Sequence, residues 1–430
     1  MAKPLRIALL GAGDRGMYNF GRFALKYPHL MKIVAVAEPD IPKRNRFIDQ
    51  HQLNKEQIFE TWQELLDKPK MADALINATP DQIHYTSTLR ALEQGYHVLL
   101  EKPIATTVED VFHLVQKAKE TDLIFQICFE MRYTPFFSTI KQLIDSGEIG
   151  ELIMIEHKES LIYWHMAHSF VRGNWRRTEE SCPMLLAKTC HDFDQLTWLV
   201  RSPCTKVSSF GGLNYFREEN SPAGSPDRCI DGCPVEDSCP YSAMKIYLGD
   251  NTDWPTSVIS VDSSIESRMN ALKNGPYGRC VFKCDNDVVD NQVVNMEFEN
   301  SVRVSFVMVG HSHENTRTIR YSGNRGTLRG HFEKSLIEIN DYNSGQVKSI
   351  NTATGLDKYG HGGGDDLLIR DFLVAVKNGI QHNMRTSIDE SVEGHLIIFA
   401  AEKSRKEGVI VDMEAFKSEL KNNTQNLYNE

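Results

Sequence analysis

Leu5-Arg6-Ile7-Ala8-Leu9-Leu10-Gly11-Ala12-Gly13-Asp14-Arg15-Gly16 decides the fold. The first six residues form a short, almost continuous apolar run, the pattern of a strand buried on both faces of a parallel sheet. Gly-x-Gly-x-x-Gly follows at once, and a helical pattern then runs towards Lys26. In that context the glycines have separate tasks. Gly11 permits a tight turn, Gly13 lets a pyrophosphate approach the backbone, and Gly16 allows helix and strand to pack closely. Asp14 and Arg15 lie at the helix start, where free N–H groups bind phosphate.

The same unit repeats outward from this turn. Lys32 to Ala37 reads as a second strand and ends at Glu38, about 20 residues past Gly16, where an acid accepts hydrogen bonds from an adenosine ribose diol. Glu38 therefore favours NAD. Lys43 and Arg44 stand close enough to pair with a 2′-phosphate, so NADP stays open. Asp73 to Ala78 is the next strand, followed by Thr79-Pro80 and a helix from about Gln82 to Gln94 that carries His84. His97 to Leu100 then leads into Glu101-Lys102-Pro103. Ligands of open α/β sheets bind at strand carboxyl ends, and an ammonium there can hold or protonate a ligand oxygen. Pro103 also restricts Lys102 to an extended backbone. Strand and helix alternate through Cys128, which predicts a doubly wound parallel sheet over residues 1–128.

A chain of 430 residues with a formal charge of −10 exceeds one hydrophobic core and carries no basic run. Two domains and a small-molecule ligand are expected, with neither nucleic acid nor membrane as partner. The apolar stretch near the amino terminus is too short for a signal segment, which predicts a cytoplasmic protein. Nine cysteines in such a chain argue against a disulfide framework.

From residue 129 to 430 the order changes. Strand-like runs at 151–157, 207–210, 290–298, 302–309, 318–321, 326–328 and 336–339 predict an α+β domain built on an open, mainly antiparallel sheet. Pro183 to Leu199 has helical periodicity and places Lys188, His191, Asp194 and Gln195 on one face. An imidazole titrates near neutral pH, so His191 can take a hydroxyl proton while hydride leaves the same carbon; Lys188 or Lys102 can stabilise the alkoxide. Asp192 reads as a solvated charge. Trp164 to Arg177 reads as a loop whose aromatic, imidazole and guanidinium groups suit a sugar, with His168 and Trp175 as candidate contacts. Gly360 to Gly364 suggests a hinge, with His361 a candidate for the substrate and Asp365 the cap of the following helix. The helix Ile388 to Lys406 reads as amphipathic.

Residues 217–285 look like an insertion holding Cys229, Cys233 and Cys239, to which Cys280 or Cys284 could add a fourth zinc ligand. The spacing is irregular for zinc, so free or reversibly oxidised thiols are expected and no metal is assigned.

Gly11 to Gly16, Ala78-Thr79-Pro80 with His84, Gly95 to Pro103, and Met131-Arg132-Tyr133 followed by Pro135 together resemble the Gfo/Idh/MocA oxidoreductases. The resemblance covers most of the chain. It implies Lys102 beside the nicotinamide and on the reacting hydroxyl, Glu101, Thr79, Pro80 and His84 around the cofactor, and Arg132 with Asp194 near the substrate. It also implies a homo-oligomer, a dimer or tetramer, joined through the exposed sheet face. Many relatives carry an aspartate one turn before the catalytic histidine, where this chain has Ala187. The expected activity is NAD(P)-dependent hydride transfer to or from a secondary hydroxyl of a sugar or cyclitol. The alternatives are glycoside hydrolysis by transient oxidation and a non-catalytic NAD-binding regulator.

Overall fold

A computed structural model describes residues 3–355, 361–379 and 384–428. The side chain of His361 lies outside the described part, as do Tyr359 and Gly360. Six parallel strands form the first sheet: β1 (Leu5–Leu10), β2 (Met31–Ala37), β3 (Ile58–Phe59), β4 (Ala74–Asn77), β5 (His97–Leu100) and β6 (Phe125–Ile127). Their order is β3-β2-β1-β4-β5-β6. This is the doubly wound dinucleotide-binding arrangement, with the chain reversing its direction of travel at β1/β4.

Local chemistry explains these elements. The strands are apolar runs because both faces are covered: Ile7 to Leu10 and Val98 to Leu100 are buried. Helices start where caps stand. Thr107 accepts from the Asp110 N–H ahead of Val108–Lys119, and Thr134 accepts from the Phe137 N–H ahead of Pro135–Asp145, with Pro135 at a position whose N–H needs no partner. Gly11 has φ +85°, and a Cβ there would lie 2.4 Å from the Ala78 carbonyl oxygen. A Cβ on Gly16 would lie 2.0 Å from the Gly11 oxygen, whereas Gly13 has nothing within 4 Å. Two of the glycines thus close the turn, and the third leaves it open.

The second sheet has nine strands: β7 (Leu152–Ile162), β8 (Cys204–Gly212), β9 (Asn291–Phe298), β10 (Arg303–Ser312), β11 (Thr316–Gly323), β12 (Gly326–His331), β13 (Leu336–Asp341), β14 (Val347–Asn351) and β15 (Val411–Asp412). The order is β14-β13-β12-β11-β7-β10-β9-β8-β15; β7 and β10 pair in parallel and every other neighbour is antiparallel. One face packs on the helices. The other carries Phe210 and Val293, register partners that are 73% and 37% exposed.

The carboxy-terminal helices return to the first sheet. Leu368, Ile369 and Phe372 of the helix Gly364–Asn378 share one apolar cluster with Ile7, Leu9, Phe20 and Phe23. The helix Ile388–Glu407 lies between Met184–Val200, Val108–Lys119 and β8. It is covered on several sides, where the periodicity had suggested a single apolar face. Among the described residues, no helix is long and apolar enough to cross a membrane.

Four local readings need correction. Tyr163–His165 and Met166–Arg172 are helical and largely buried, not a surface loop. Asp192 is fully buried, bonded to His157 Nε2 at 2.9 Å and to Arg317 at 2.7 and 3.0 Å. The helix Met184–Val200 is buried nearly all round, so its polar residues find partners inside. Asp365 does not cap its helix, which starts from Gly363 at φ 82°; its carboxylate reaches Arg15 instead.

Candidate active site

Lys102 leaves the carboxyl end of β5, and its Nζ donates to the Ala187 carbonyl at 2.9 Å. Ala187 precedes His191 by one turn of the helix Met184–Val200, so the ammonium is delivered to the helix segment that presents the imidazole. Burial works against the charged form of Lys102, but Cys190, Asp81, Glu101 and Glu130 outweigh it and raise the lysine above its ordinary value. Cys190, whose own thiol is pushed up to about 12 by burial, stays protonated at neutral pH. The three carboxylates therefore hold the charge, and Lys102 is an ammonium.

His191 sits edge-on to Phe129, with Nε2 3.6 Å from Glu130 Oε1. Glu130 follows the carboxyl end of β6 in the turn Glu130–Tyr133 and is buried. Arg15, from the glycine turn, donates to Glu101 Oε1 at 2.6 Å, pairs with Asp365 at 2.8 Å and stands 3.9 Å from Glu130. Burial raises the Glu101 carboxyl, with Arg15 opposing. One buried network thus joins the glycine turn, β5, β6 and the carboxy-terminal helix to His191. Gly364 makes this contact close, since a Cβ there would lie 2.2 Å from the Glu130 carbonyl oxygen.

The residues fit a dinucleotide. Gly13 leaves room against the backbone. Glu38, at the end of β2, accepts from the Ala12 N–H at 2.7 Å and the Asp40 N–H at 2.9 Å, which places its carboxylate beside the turn. Lys43 pairs with Asp40, and Arg44 with Glu60 and the Glu38 carbonyl. Thr79 donates from its hydroxyl to Asn77 Oδ1, and Pro80 is exposed at the same strand end. His84 lies between the Pro103 and Thr79 carbonyl oxygens, 2.7 and 2.9 Å from its two ring nitrogens. It ties the two cofactor-side loops together from behind. Asp14 is exposed at the helix start.

Other predicted contacts lie elsewhere. Arg132 and Asp194 form a fully buried bidentate pair, 2.7 Å on both arms, and Arg132 also donates to the Arg385 carbonyl. Their polar atoms are engaged with one another, which corrects the expectation that they meet substrate. His168 is buried against Tyr247 and Tyr277, bonded to the Tyr247 hydroxyl, and burial lowers it to about 3; it packs the insertion and does not face the site. Trp175 donates to Asp81 at 2.9 Å, one of the carboxylates acting on Lys102. Lys188 pairs with Glu159 at 3.1 Å and lines a cavity of about 270 Å³ with Met131, Asn315, Arg317 and Glu333. Sequence reasoning missed Glu130, Asp365 and Asp81. Glu130 was within reach of the strand-end rule that picked out Lys102.

Comparisons with known proteins agree with this architecture. Residues 5–129 match the model of the Gfo/Idh/MocA oxidoreductase family, NAD-binding Rossmann fold, and residues 141–413 match its C-terminal alpha/beta domain. The chain is 29% identical over 225 residues to a scyllo-inositol 2-dehydrogenase (NAD(+)) of Bacillus subtilis, covering 51% of this chain and 61% of that one. It is 26% identical over 210 residues to an inositol 2-dehydrogenase of Corynebacterium glutamicum, covering 48% and 57%. It thus spans about three fifths of the length of these curated relatives. Among solved structures, a levoglucosan dehydrogenase in complex with NADH and levoglucosan superposes with a TM-score of 0.69 at 17% identity, over 96% of this chain and 100% of that one. An inositol dehydrogenase homolog complexed with NAD+ from Azotobacter vinelandii gives 0.69 at 18%, over 96% and 98%. These two share the fold.

Proposed function

The chain belongs to the Gfo/Idh/MocA family of NAD-binding oxidoreductases, and from that premise we propose that it moves hydride between NAD and a secondary hydroxyl of a sugar or cyclitol. The observation that carries this reading is the Lys102 bond to the Ala187 carbonyl, one turn before His191. It sets an ammonium from the nucleotide sheet against the helix of the second domain that carries the imidazole. A bound nicotinamide supplies the hydride acceptor; the chain's residues handle the oxygen and its proton.

In this mechanism Lys102 donates a hydrogen bond to the substrate oxygen and stabilises the negative charge that develops there. His191 takes the hydroxyl proton, and the imidazolium so formed meets Glu130 at 3.6 Å. Glu130 fills the role left open by Ala187, which supports proton abstraction by His191. Lys188, fixed by Glu159 at the neighbouring cavity, seats the polyol away from the reacting carbon. Engagement of Lys43 and Arg44 by acidic partners, with Glu38 at the turn, favours NAD over NADP. The exposed Phe210 and Val293 on the open sheet face support a homo-oligomer formed through that face.

The test is a panel of inositols, aldoses and anhydrosugars with NAD and with NADP. Reduced cofactor should accumulate with at least one polyol and faster with NAD. Release of an aglycone with no net change in cofactor would replace this reading with hydrolysis.

A further inference from the structure

Residues 213–290, between β8 and β9, contain only short helices, and their outer part has a small apolar cluster of its own: Ala243, Tyr247 and Leu272. The inner part of the segment packs into the main apolar core through Phe216, Tyr241 and Phe282, and the outer part gains from a further source of order. Cys229, Cys233, Cys239 and Cys280 line one cavity of about 20 Å³ within it, together with Arg172 and Tyr241. That is room for about one water-sized sphere. The frame holding the thiols is hydrogen-bonded. Cys229 N–H donates to the Gly278 carbonyl at 2.9 Å and Cys280 N–H to the Asp227 carbonyl at 2.8 Å, on either side of an antiparallel bridge between Arg228 and Arg279. Cys239 N–H closes its turn on the Val235 carbonyl at 2.9 Å. Cys284 is placed differently, with its thiol 3.3 Å from the Cys280 carbonyl oxygen and absent from the cavity wall.

Arg172 supplies the second, independent observation. Its side chain is fully buried beside the thiols. Nε donates to the Arg279 carbonyl at 2.7 Å, Nη2 donates to the Tyr241 carbonyl at 2.8 Å and lies 3.5 Å from Cys229 Sγ, and Nη1 is buried with no hydrogen-bond partner. Among the described residues no carboxylate pairs with it. A buried guanidinium without an anion is costly, and neutral thiols do not offset it. Four thiolates on a metal do, because their charges exceed that of the ion.

We propose that Cys229, Cys233, Cys239 and Cys280 form a tetrathiolate metal centre, with Arg172 as its buried counter-charge. The metal is a single zinc or iron ion, since the cavity has room for about one water-sized sphere; each thiol loses its proton and binds through sulfur. As they stand, the sulfurs ring the cavity without closing on a point; among the described residues no three His, Cys, Asp or Glu side chains are gathered tightly enough to hold an ion. Loading therefore rotates the four side chains inward, releases their protons and orders the insertion. The centre lies away from Lys102 and His191 and is structural.

The experiment measures zinc, iron and acid-labile sulfide in the full-length chain, expressed without a polyhistidine tag and purified without oxygen. About one metal centre per chain is expected. One zinc, or one iron without labile sulfide, supports the mononuclear site; iron with labile sulfide means a cluster too large for this cavity and overturns it. The double variant Cys233→Ser/Cys239→Ser should lose roughly ten-fold or more of the metal, and Cys284→Ser should keep it. Should the double variant fail to fold, cobalt added to the stripped wild-type protein gives the deciding readout: sulfur-to-cobalt charge-transfer absorption. Wild-type protein with neither zinc nor iron above trace and no such cobalt band, a double variant that keeps its metal, or disulfides among these cysteines overturns the proposal.

Discussion

Glu130 Oε1 stands 3.6 Å from His191 Nε2, although the glutamate follows the last strand of the nucleotide sheet and the histidine belongs to a helix of the second domain. The pair fixes where an imidazolium would be stabilised. Glu130→Gln keeps the shape and removes the charge. We expect kcat to fall by about 10²-fold, as for an impaired general base, with NAD affinity largely kept. Steady-state kinetics alongside NAD titration checks the split; equal losses in both would show that Glu130 acts on the fold.

The glycine turn makes a paired expectation. Gly11→Ala forces a Cβ to 2.4 Å from the Ala78 oxygen at φ +85°, so both folding and NAD binding should suffer. Gly13→Ala meets nothing within 4 Å. Stability should change by less than about 1 kcal/mol, while NAD binding weakens because the new methyl occupies the pyrophosphate's approach. Thermal melts with and without NAD separate the two.

The buried Arg132–Asp194 pair should matter for stability. Asp194→Ala leaves a guanidinium uncompensated, and we expect a loss of about 3–5 kcal/mol, read from denaturant midpoints. A folded variant with unchanged stability and a raised KM would return Asp194 to the substrate site.

Asp192 gives a pH test. Burial pushes its carboxyl up, but Arg317 and His157 outweigh this and hold it well below the ordinary 3.8. A depressed folded value adds stability above the unfolded value, and that stability is lost as pH falls through the folded one. Wild type should therefore keep this contribution at pH near 3.8, while Asp192→Asn is less stable at neutral pH and loses less on acidification. Unfolding curves against pH show the difference.

The parts of the site legible in sequence were those set by adjacent residues. Gly11 to Gly16, Glu38 and Lys102 each sit just after an apolar run, so strand ends could be read from composition alone. Glu130 obeys the same rule, following the apolar residues Ile127, Cys128 and Phe129. Asp365 carries no local signal for Arg15, because that contact depends on the carboxy-terminal helix folding back onto β1. Asp192 and Asp194 look alike in sequence, two acids on one helix, and both are buried because arginines from other elements reach them. A charged residue declares a need for a partner or for water; only the fold shows which it gets.

Lys102→Met tests the central claim most directly, because the ammonium is removed while the glycine turn and Glu38 remain. With the best polyol of the panel, the account predicts that NAD still binds by calorimetry and that single-turnover formation of reduced nicotinamide drops by about 10³-fold or more. A variant that binds NAD and reduces it at the wild-type rate would contradict the role given to Lys102, and with it the assignment of Lys102 and His191 as the reacting pair.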